Sequence, residues 1–400
     1  MPSSAEAGWL RQALRLAARG RYRAAPNPMV GAVVVAAGEV VGSGWHRQVG
    51  GPHAEVEALA VAGERARGAT LYVTLEPCVH HGRTPPCADA VVAAGIARVV
   101  ACHGDPDPRV AGRGFARLRA AGIEVEVGPL AAAAVRLNLR YLVAATERRP
   151  QVTLKWAMSL DGRIATATGQ SQWISSPRAR RWALALREEH DATLVGSGTV
   201  LADDPRLDRR LGLAGKPGLR VVLDRRLRLA AWAAAAPPGA PRRLFTVADA
   251  LLIYTSAVTI AAAGAAGAAG QLPELPGNVE VVALPSVEPA AVLADLHARG
   301  ARSILVEGGA EVLASFAASG LYDRVAAVCA PLLIGGRDAP GPLAGAGAPT
   351  LAEAPRLDHL QVQHRGGDLI VEAVREGLLE QLLAGLRGDR PGTTGKTWGS

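Results

Sequence analysis

If His53, Cys78 and Cys87 share one ion, three separate stretches of the chain must converge on a point, and no other feature constrains the fold as strongly. The segment runs PHAEVEALAVAGERARGATLYVTLEPCVHHGRTPPC, from Pro52 to Cys87. One imidazole and two thiolates supply three ligands for Zn2+ and leave the fourth tetrahedral position to water, which is how a catalytic zinc differs from a structural one. A structural site would call on a fourth Cys or His. His80 and His81 lie nearest, and Cys102 and His103 follow a separate strand. The HxE pairing decides between them: Glu55, two residues past His53, is the base that a zinc-activated water requires and has no purpose in a structural site.

The surrounding pattern is α/β. Ser3-Ser4-Ala5-Glu6 reads as a capping box opening a helix to about Arg19. Val30–Val35 and Glu39–Gly44 form a hairpin, and a helix from about His53 to Ala62 puts His53 and Glu55 in its first turn. Strands at 70–75, 98–102 and 124–127 alternate with helices at 87–94 and 113–121, which indicates a largely parallel sheet. An Ala-rich helix from Leu130 to Thr146 leads into Glu147-Arg148-Arg149-Pro150, where a domain boundary is expected. A second alternating series follows. It has strands at 152–157, 192–195, 220–223, 244–247 or 251–255, 279–284, 303–306 and 325–329, helices at 177–188 and 288–299, and a closing hairpin around Gly366-Gly367. The domains expected are 1–148 and 150–375. Residues 230–277, rich in Ala, Gly and Pro, read as a surface insertion, and 376–400 as a tail with one short apolar helix (378–386), disordered as a whole.

Bulk properties narrow the class. At 400 residues and 49% hydrophobic, the chain can bury two cores. Four cysteines, two of them in the motif, do not make a disulfide framework, and no basic-then-apolar leader opens the sequence, so a reducing cytoplasm is expected. The formal charge of +8 is spread along the chain and reads as a basic surface suited to anionic substrates, with neither nucleic acid nor a membrane as partner. The uncharged run Ala250–Gly270 has about the length of a bilayer span, but LLIYT is a strand and its second half is Ala and Gly, so a strand and loop are expected there.

H-x-E followed by P-C-x-x-C is the signature of zinc-dependent base deaminases. Here eight residues, VHHGRTPP, separate the cysteines instead of two. The longer loop rims the pocket, and its Arg83 offers a cation to a phosphate.

The second half is less explicit. VEGGAEVL reads as a strand ending in Gly-Gly at a helix N-terminus, a place where backbone N–H groups can hold a phosphate; a plain tight turn gives the same pattern. Trp173 can stack on a flat ring or lie in the core, and Asp203-Asp204-Pro205 can be a turn with a helix cap.

Taken together, PNPMVGAVVV, HAE and TLEPCVHHGRTPPC resemble the deaminase half of the bifunctional deaminase/reductase family of riboflavin biosynthesis. TLKWAMSLDGRIAT, GQSQWISSPRARRWALALREEHDATLVGSGTVLADDPRL and ILVEGGAEVLASF resemble its reductase half in the same order. The likeness spans roughly 5–375, outside the 230–277 insertion and the tail. It implies a cytidine-deaminase-like α/β/α sandwich followed by a dihydrofolate-reductase-like α/β domain. The first deaminates 2,5-diamino-6-ribosylamino-4(3H)-pyrimidinone 5′-phosphate, and the second uses NADPH to reduce the ribosylamino group to ribitylamino. It implies zinc on His53, Cys78 and Cys87, Glu55 as proton donor, pyrimidine contacts from Asn27 and His46, and phosphate contact near Arg83. In the second half it implies NADP contacts at Ala157, Trp173, Thr199, Asp203 and the run Gly309, Ala310, Glu311, Val312, Leu313, Ala314 and Ser315. Substrate contacts fall on Ser171, Arg187, Leu207, Arg210 and Glu307, with Lys155 or Glu307 as the proton-handling group. Arg225 stands where related chains tend to have a small polar residue, which bears on the 2′-phosphate contact. A homo-oligomer is expected. Two other readings remain at this stage: a nucleic-acid deaminase, supported only by the charge, and a monofunctional deaminase with a non-catalytic dimerisation module.

Overall fold

The computed structural model describes residues 4–81, 85–237, 239–265 and 275–387. They form two compact units, one of residues 4–148 and 377–387, the other of 149–376.

The first unit is built around a five-stranded sheet. Helix α1 (Ser4–Ala17) is followed by a hairpin of β1 (Gly31–Ala36) and β2 (Glu39–Trp45), then by α2 (Ala54–Ala62) and β3 (Thr70–Val73). After these come α3 (Cys87–Ala93), β4 (Arg98–Ala101), α4 (Arg113–Ala120) and β5 (Glu124–Val127). Two helices, α5 (Ala131–Leu137) and α6 (Leu139–Glu147), close the unit's first pass. The strand order is β2-β1-β3-β4-β5. β1 runs antiparallel to both its neighbours, while β3, β4 and β5 are parallel, so the sheet is mixed where a largely parallel one was expected. One core lies between the sheet and α2, α3 and α4, with Val34, Leu71, Val99, Ala58 and Leu118 at its centre. The other lies under α1, around Leu10, Val33 and Val100.

Two glycines of β2 let α2 lie flat on the hairpin. A Cβ on Gly42 would fall 2.2 Å from the Ala58 carbonyl oxygen, and one on Gly44 2.5 Å from the Glu57 Cβ. The helix that carries His53 and Glu55 is therefore pressed against backbone and held rigidly. The single helix expected over 130–146 is broken at Asn138, whose φ of −102° and ψ of 20° end α5 and begin α6.

The second unit holds a nine-stranded sheet. Its elements are β6 (Gln151–Ser159), α7 (Pro177–Glu189), β7 (Ala192–Gly196), α8 (Ser197–Asp203), β8 (Leu219–Leu223), α9 (Arg228–Ala234), β9 (Leu251–Ser256), α10 (Ala257–Ala265) and β10 (Val279–Leu284). They continue through α11 (Pro289–Ala298), β11 (Ser303–Gly308), α12 (Ala310–Ala318), β12 (Arg324–Ala330), β13 (Leu357–Arg365) and β14 (Asp368–Arg375). The order is β10-β9-β8-β7-β11-β6-β12-β14-β13, parallel except that β14 runs antiparallel to β12 and β13. α7 starts well: the Ser176 side chain accepts from the Ala179 N–H, with Pro177 at the first helical position.

Two expectations are corrected here. The 230–277 stretch is not an insertion throughout, because β9 lies within it as an interior strand between β8 and β10, with Leu251 to Thr255 all buried. Leu244 belongs to a short 3-10 turn, so the strand is 251–256 rather than 244–247. Residues 266–274 are outside the described residues. The tail expectation is corrected in part: the helix expected over 378–386 is present as α13 (Leu378–Arg387), but it is not disordered, since it buries Leu378, Leu379 and Leu382 and packs on α5 and α6 of the first unit, while residues 388–400 lie outside the described residues. Among the described residues, no helix is long and apolar enough to cross a membrane.

Candidate active sites

In the first unit the C-terminal ends of parallel strands β3 and β4 supply the site, as open α/β sheets commonly do. His53 is the N-cap of α2 in an extended conformation and makes no capping bond with its side chain, which leaves the imidazole free to face the thiols. Its Nδ1 lies 3.6 Å from the Cys78 Sγ and 3.0 Å from the Cys87 Sγ. Cys87 opens α3 and donates its backbone N–H to the Cys78 sulfur (3.4 Å), while the Ala88 N–H bonds the Cys78 carbonyl (3.1 Å). Those two bonds close the inter-cysteine loop at its base, so its eight-residue length does not disturb the ligand geometry. Arg83 lies outside the described residues.

The three ligand atoms sit within 4.8 Å of one another. Tetrahedral zinc at ordinary bond lengths requires N···S separations of about 3.6 Å. The His53–Cys78 distance meets that, and Cys87 needs only a small retreat. Their electrostatics suit a cation. Hydrogen bonds from Cys87 and the nearby His53 lower the pKa of Cys78, and the Cys78 thiolate together with burial pushes the Cys87 thiol up, so in the bare protein the pair shares one negative charge. The hydrogen bond to Cys78 raises His53. Glu55, on the first turn of α2, is 3% exposed, and in the protein alone burial pushes its carboxyl up to about 7, despite His53 beside it. A bound cation pulls such a group back down.

A cavity of about 400 Å3 opens onto these residues. Asn27 and His46 line it, joined by a 3.1 Å bond between Nδ2 and Nε2. The amide can only donate there, so His46 Nε2 accepts, and Nδ1 carries the proton that bonds the Pro52 carbonyl (3.0 Å). Burial lowers the His46 pKa, in keeping with a neutral ring. Sequence reasoning missed the opposite wall, formed by Asp105, Asp107, Arg109 and Tyr141. The polar run GDPDPR directly after β4 signalled it. Glu76 fixes that wall by accepting from the backbone N–H groups of Asp105, Gly112, Gly114 and Phe115 at 2.8–3.2 Å.

In the second unit the candidate residues again gather at the carboxyl ends of parallel strands. Val306 of β11 pairs with Leu154 of β6, so the next residues, Glu307 and Lys155, are neighbours. Arg187 of α7 grips Glu307 through Nε (2.8 Å) and Nη2 (2.7 Å). Burial alone would raise Glu307, but the charges of Arg187 and Lys155 outweigh it and bring the carboxyl down to about 2. Lys155 is partly exposed, yet the packing around its ammonium lowers its pKa against the opposing charge of Glu307. Ala157 lies two residues along β6, on the same face as Lys155.

The Gly-Gly turn is a built feature. Gly309 has φ +71°, and Thr199 of α8 crowds both glycines: a Cβ on Gly308 or Gly309 would lie 3.3 or 3.4 Å from its Oγ1. The first α12 bond runs from the Leu313 N–H to Gly309, so the N–H groups of Ala310, Glu311 and Val312 have no acceptor within the helix. The run 309–315 divides accordingly. Leu313 turns into the sheet core, and Ser315 bonds the Val312 carbonyl with its hydroxyl, which leaves the first turn to face a ligand. Trp173 is 68% exposed with the Arg180 guanidinium 4.4 Å from its ring centre, and Gln172 ties this loop to Asp203 (3.0 Å). Ser171 precedes it on the same loop.

Leu207 is buried with φ +57°, so its backbone rather than its side chain is what it can offer a ligand. Beside it, buried Asp208 holds Arg210 (3.4 Å) and Arg206 (3.1 Å). Arg206 and Asp208 were not anticipated. Arg225 pairs with Glu288 on the surface, and Arg228, also unanticipated, donates to the Ser197 hydroxyl (2.8 Å).

Comparison with known proteins follows the same division. Residues 3–103 match the cytidine and deoxycytidylate deaminase zinc-binding region, and residues 150–371 match the RibD C-terminal domain. The riboflavin biosynthesis protein RibD of Aquifex aeolicus (strain VF5) is 40% identical over 363 residues, 91% of this chain and 96% of that protein. The structure of Acinetobacter baumannii RibD is 34% identical, covers 93% of this chain and 99% of its own, and superposes with a TM-score of 0.76. A Thermotoga maritima structure, described as a diaminohydroxyphosphoribosylaminopyrimidine deaminase/5-amino-6-(5-phosphoribosylamino)uracil reductase, gives 35% identity, coverage of 93% and 99%, and a TM-score of 0.76.

Proposed function

The chain belongs to the RibD family of bifunctional riboflavin-biosynthesis enzymes, and on that premise we propose that it catalyses two successive steps, each in its own unit. The first is zinc-dependent hydrolytic deamination of 2,5-diamino-6-ribosylamino-4(3H)-pyrimidinone 5′-phosphate. The second is NADPH-dependent reduction of 5-amino-6-(5-phosphoribosylamino)uracil to the ribitylamino product. Deamination falls to 1–148 and reduction to 150–375. The observation that carries the reading is the convergence of His53, Cys78 and Cys87 on one point beside Glu55, with His53, Cys78 and Glu55 lining a cavity, in a chain that also carries the Lys155–Glu307–Arg187 cluster.

His53, Cys78 and Cys87 hold the zinc, which supplies the Lewis acidity that makes a water nucleophilic near neutral pH. Glu55 would accept the water's first proton and pass it to the ring nitrogen, then carry the second to the departing amino group, which leaves as ammonia. A carboxyl raised by burial is suited to such shuttling. Asn27 and His46 orient the pyrimidine, and Arg83 is the proposed contact of the phosphate.

In the second unit a bound NADPH would supply the hydride needed at the C1 carbon of the opened sugar. The free N–H groups of Ala310, Glu311 and Val312 at the α12 N-terminus, with Gly309 and Thr199, support a phosphate of the cofactor there. Ala157, Trp173 and Asp203 complete its contacts. Ser171, Arg187, the Leu207 backbone, Arg210 and Glu307 hold the substrate. Of the two proton-handling candidates, the geometry favours Lys155: Glu307 is ionised throughout the physiological range, while Lys155 has a lowered pKa and a proton to give.

We read the enzyme as cytoplasmic, in keeping with four unpaired cysteines. We also read it as a homo-oligomer acting on small phosphorylated pyrimidines, with no nucleic-acid or membrane partner. The test is a coupled assay with the diaminopyrimidine phosphate that follows ammonia release and NADPH oxidation separately, with and without a zinc chelator. Ammonia release that stops with the chelator, while NADPH oxidation with the deaminated substrate continues, supports the reading. Ammonia release without NADPH consumption would leave only the monofunctional reading.

A further inference from the structure

Asn138 stands at the break between α5 and α6, a helix N-cap by position, yet its side chain makes no capping bond. It reaches instead across 109 residues of sequence. Its Oδ1 accepts the Met29 N–H (2.7 Å) and its Nδ2 donates to the Met29 carbonyl (2.9 Å). Both polar atoms of a buried amide thus pair with one residue's backbone, as a neighbouring strand would. Met29 lies between Asn27 and Val30, which both line the cavity, and the Val30 carbonyl accepts the His46 N–H (2.9 Å). One turn along α6, the Tyr141 hydroxyl donates to Asp105 Oδ1 (2.6 Å), which also accepts the Asp107 N–H (2.9 Å). Tyr141, Asp105 and Asp107 line the cavity's other wall. A single helical turn therefore ties down both banks of the pocket. It lies beyond residue 103, where the match to the zinc-binding region ends.

We infer that Asn138 and Tyr141 are positioning residues for deamination: Asn138 sets the Asn27–His46 bank and Tyr141 the Asp105 bank, so that the α5–α6 pair, and not the zinc-binding region alone, fixes how the pyrimidine sits. This rests on the deaminase reading above. Neither residue touches the zinc ligands, so the effect falls on substrate binding and leaves the metal in place.

The test uses the full-length zinc-loaded enzyme with the diaminopyrimidine phosphate. Asn138→Ala removes two hydrogen bonds to the loop, and KM for ammonia release is expected to rise about tenfold, with Tyr141→Phe raising it about threefold. Zinc per chain and NADPH oxidation with the deaminated substrate stay at wild-type values. In an Asn27→Ala background Asn138→Ala is expected to add less than it does alone, because part of its effect runs through Asn27. Tyr141→Phe keeps every carbon atom in place, so it reads the Asp105 bank even if Asn138→Ala folds poorly. Wild-type KM in both variants, or loss of zinc with KM unchanged, overturns the positioning role while leaving the deaminase reading intact. A wild-type enzyme that releases no ammonia overturns both.

Discussion

Arg187 meets Glu307 as a parallel fork, Nε on one carboxylate oxygen at 2.8 Å and Nη2 on the other at 2.7 Å, with little of either side chain exposed. Two-point geometry of this kind fixes both groups in one plane at the carboxyl end of β11. The pair also sets a pH dependence. Glu307 titrates at about 2, against roughly 4.3 for a free glutamate. Its contribution to stability is therefore complete above the unfolded pKa and is lost as pH falls from about 4.5 toward 2, amounting to on the order of 3 kcal/mol. Glu307→Gln leaves a buried guanidinium unpaired and destabilises the reductase unit at pH 7. The gap between wild type and variant, measured by denaturant unfolding, is expected to shrink as the pH is lowered from 5 to 2.5. A gap that does not change with pH would show that the carboxyl is not held ionised by its partners.

Lys155 offers a second pH measurement. Packing around its ammonium lowers its pKa, and the Glu307 charge opposes that fall. If Lys155 gives the proton, NADPH oxidation declines as pH rises through its pKa, on a basic limb lying below the range of an ordinary lysine. Removing the negative charge in Glu307→Gln moves that limb lower still. Lys155→Met is expected to slow NADPH oxidation by about 10²–10⁴-fold with ammonia release unchanged. A basic limb at the same position in wild type and Glu307→Gln would assign the proton to another group.

The deaminase site separates metal binding from proton transfer. Glu55→Ala removes the shuttle without touching a zinc ligand, so zinc content stays near one per chain while ammonia release falls by at least about 10²–10⁴-fold. Cys87→Ser acts differently: it removes a ligand buried at the start of α3, and both zinc content and ammonia release are lost. NADPH oxidation with the deaminated substrate is expected to survive in both variants. Loss of both activities in Glu55→Ala would falsify the independence of the two sites.

What the sequence made legible follows physical range. His53, Glu55, Cys78 and Cys87 could be read because a metal demands particular residue types, and α2, α3 and the strand between them are set by local periodicity and by Pro52 and Pro86. The alternation of strands and helices gave both sheets. Long-range choices were hidden. Nothing in the sequence around Asn138 tells that its amide spends itself on Met29 rather than on capping α6, and nothing around Tyr141 points to Asp105. β9 could be read as a strand from LLIYT, but its interior place in the sheet could not, because Ala- and Gly-rich neighbours made the whole 230–277 stretch look like an insertion. Register, too, needs the fold: Lys155 and Glu307 are 152 residues apart in sequence and become neighbours only because β11 enters between β7 and β6.

The last element among the described residues was read as part of a tail, and its placement has a consequence. α13 brings Leu378, Leu379 and Leu382, all at most 3% exposed, against α5 and α6, so it completes the packing of the first unit. Their junction carries Asn138, which holds Met29, and α6 presents Tyr141 to the pocket. Leu379→Ala is therefore expected to cost about 2–4 kcal/mol, and to lower the thermal midpoint of the deaminase unit by roughly 5–10 °C while leaving that of the reductase unit unchanged. Removal of everything after Glu376 goes further, exposing the α5–α6 face to water and weakening ammonia release more than NADPH oxidation. Differential scanning calorimetry of the full chain and of the two variants, with both activities followed after stepwise heating, makes the comparison. If the truncated chain keeps wild-type ammonia release and the same unfolding profile, α13 is an ornament on the first unit and the two-helix platform stands without it.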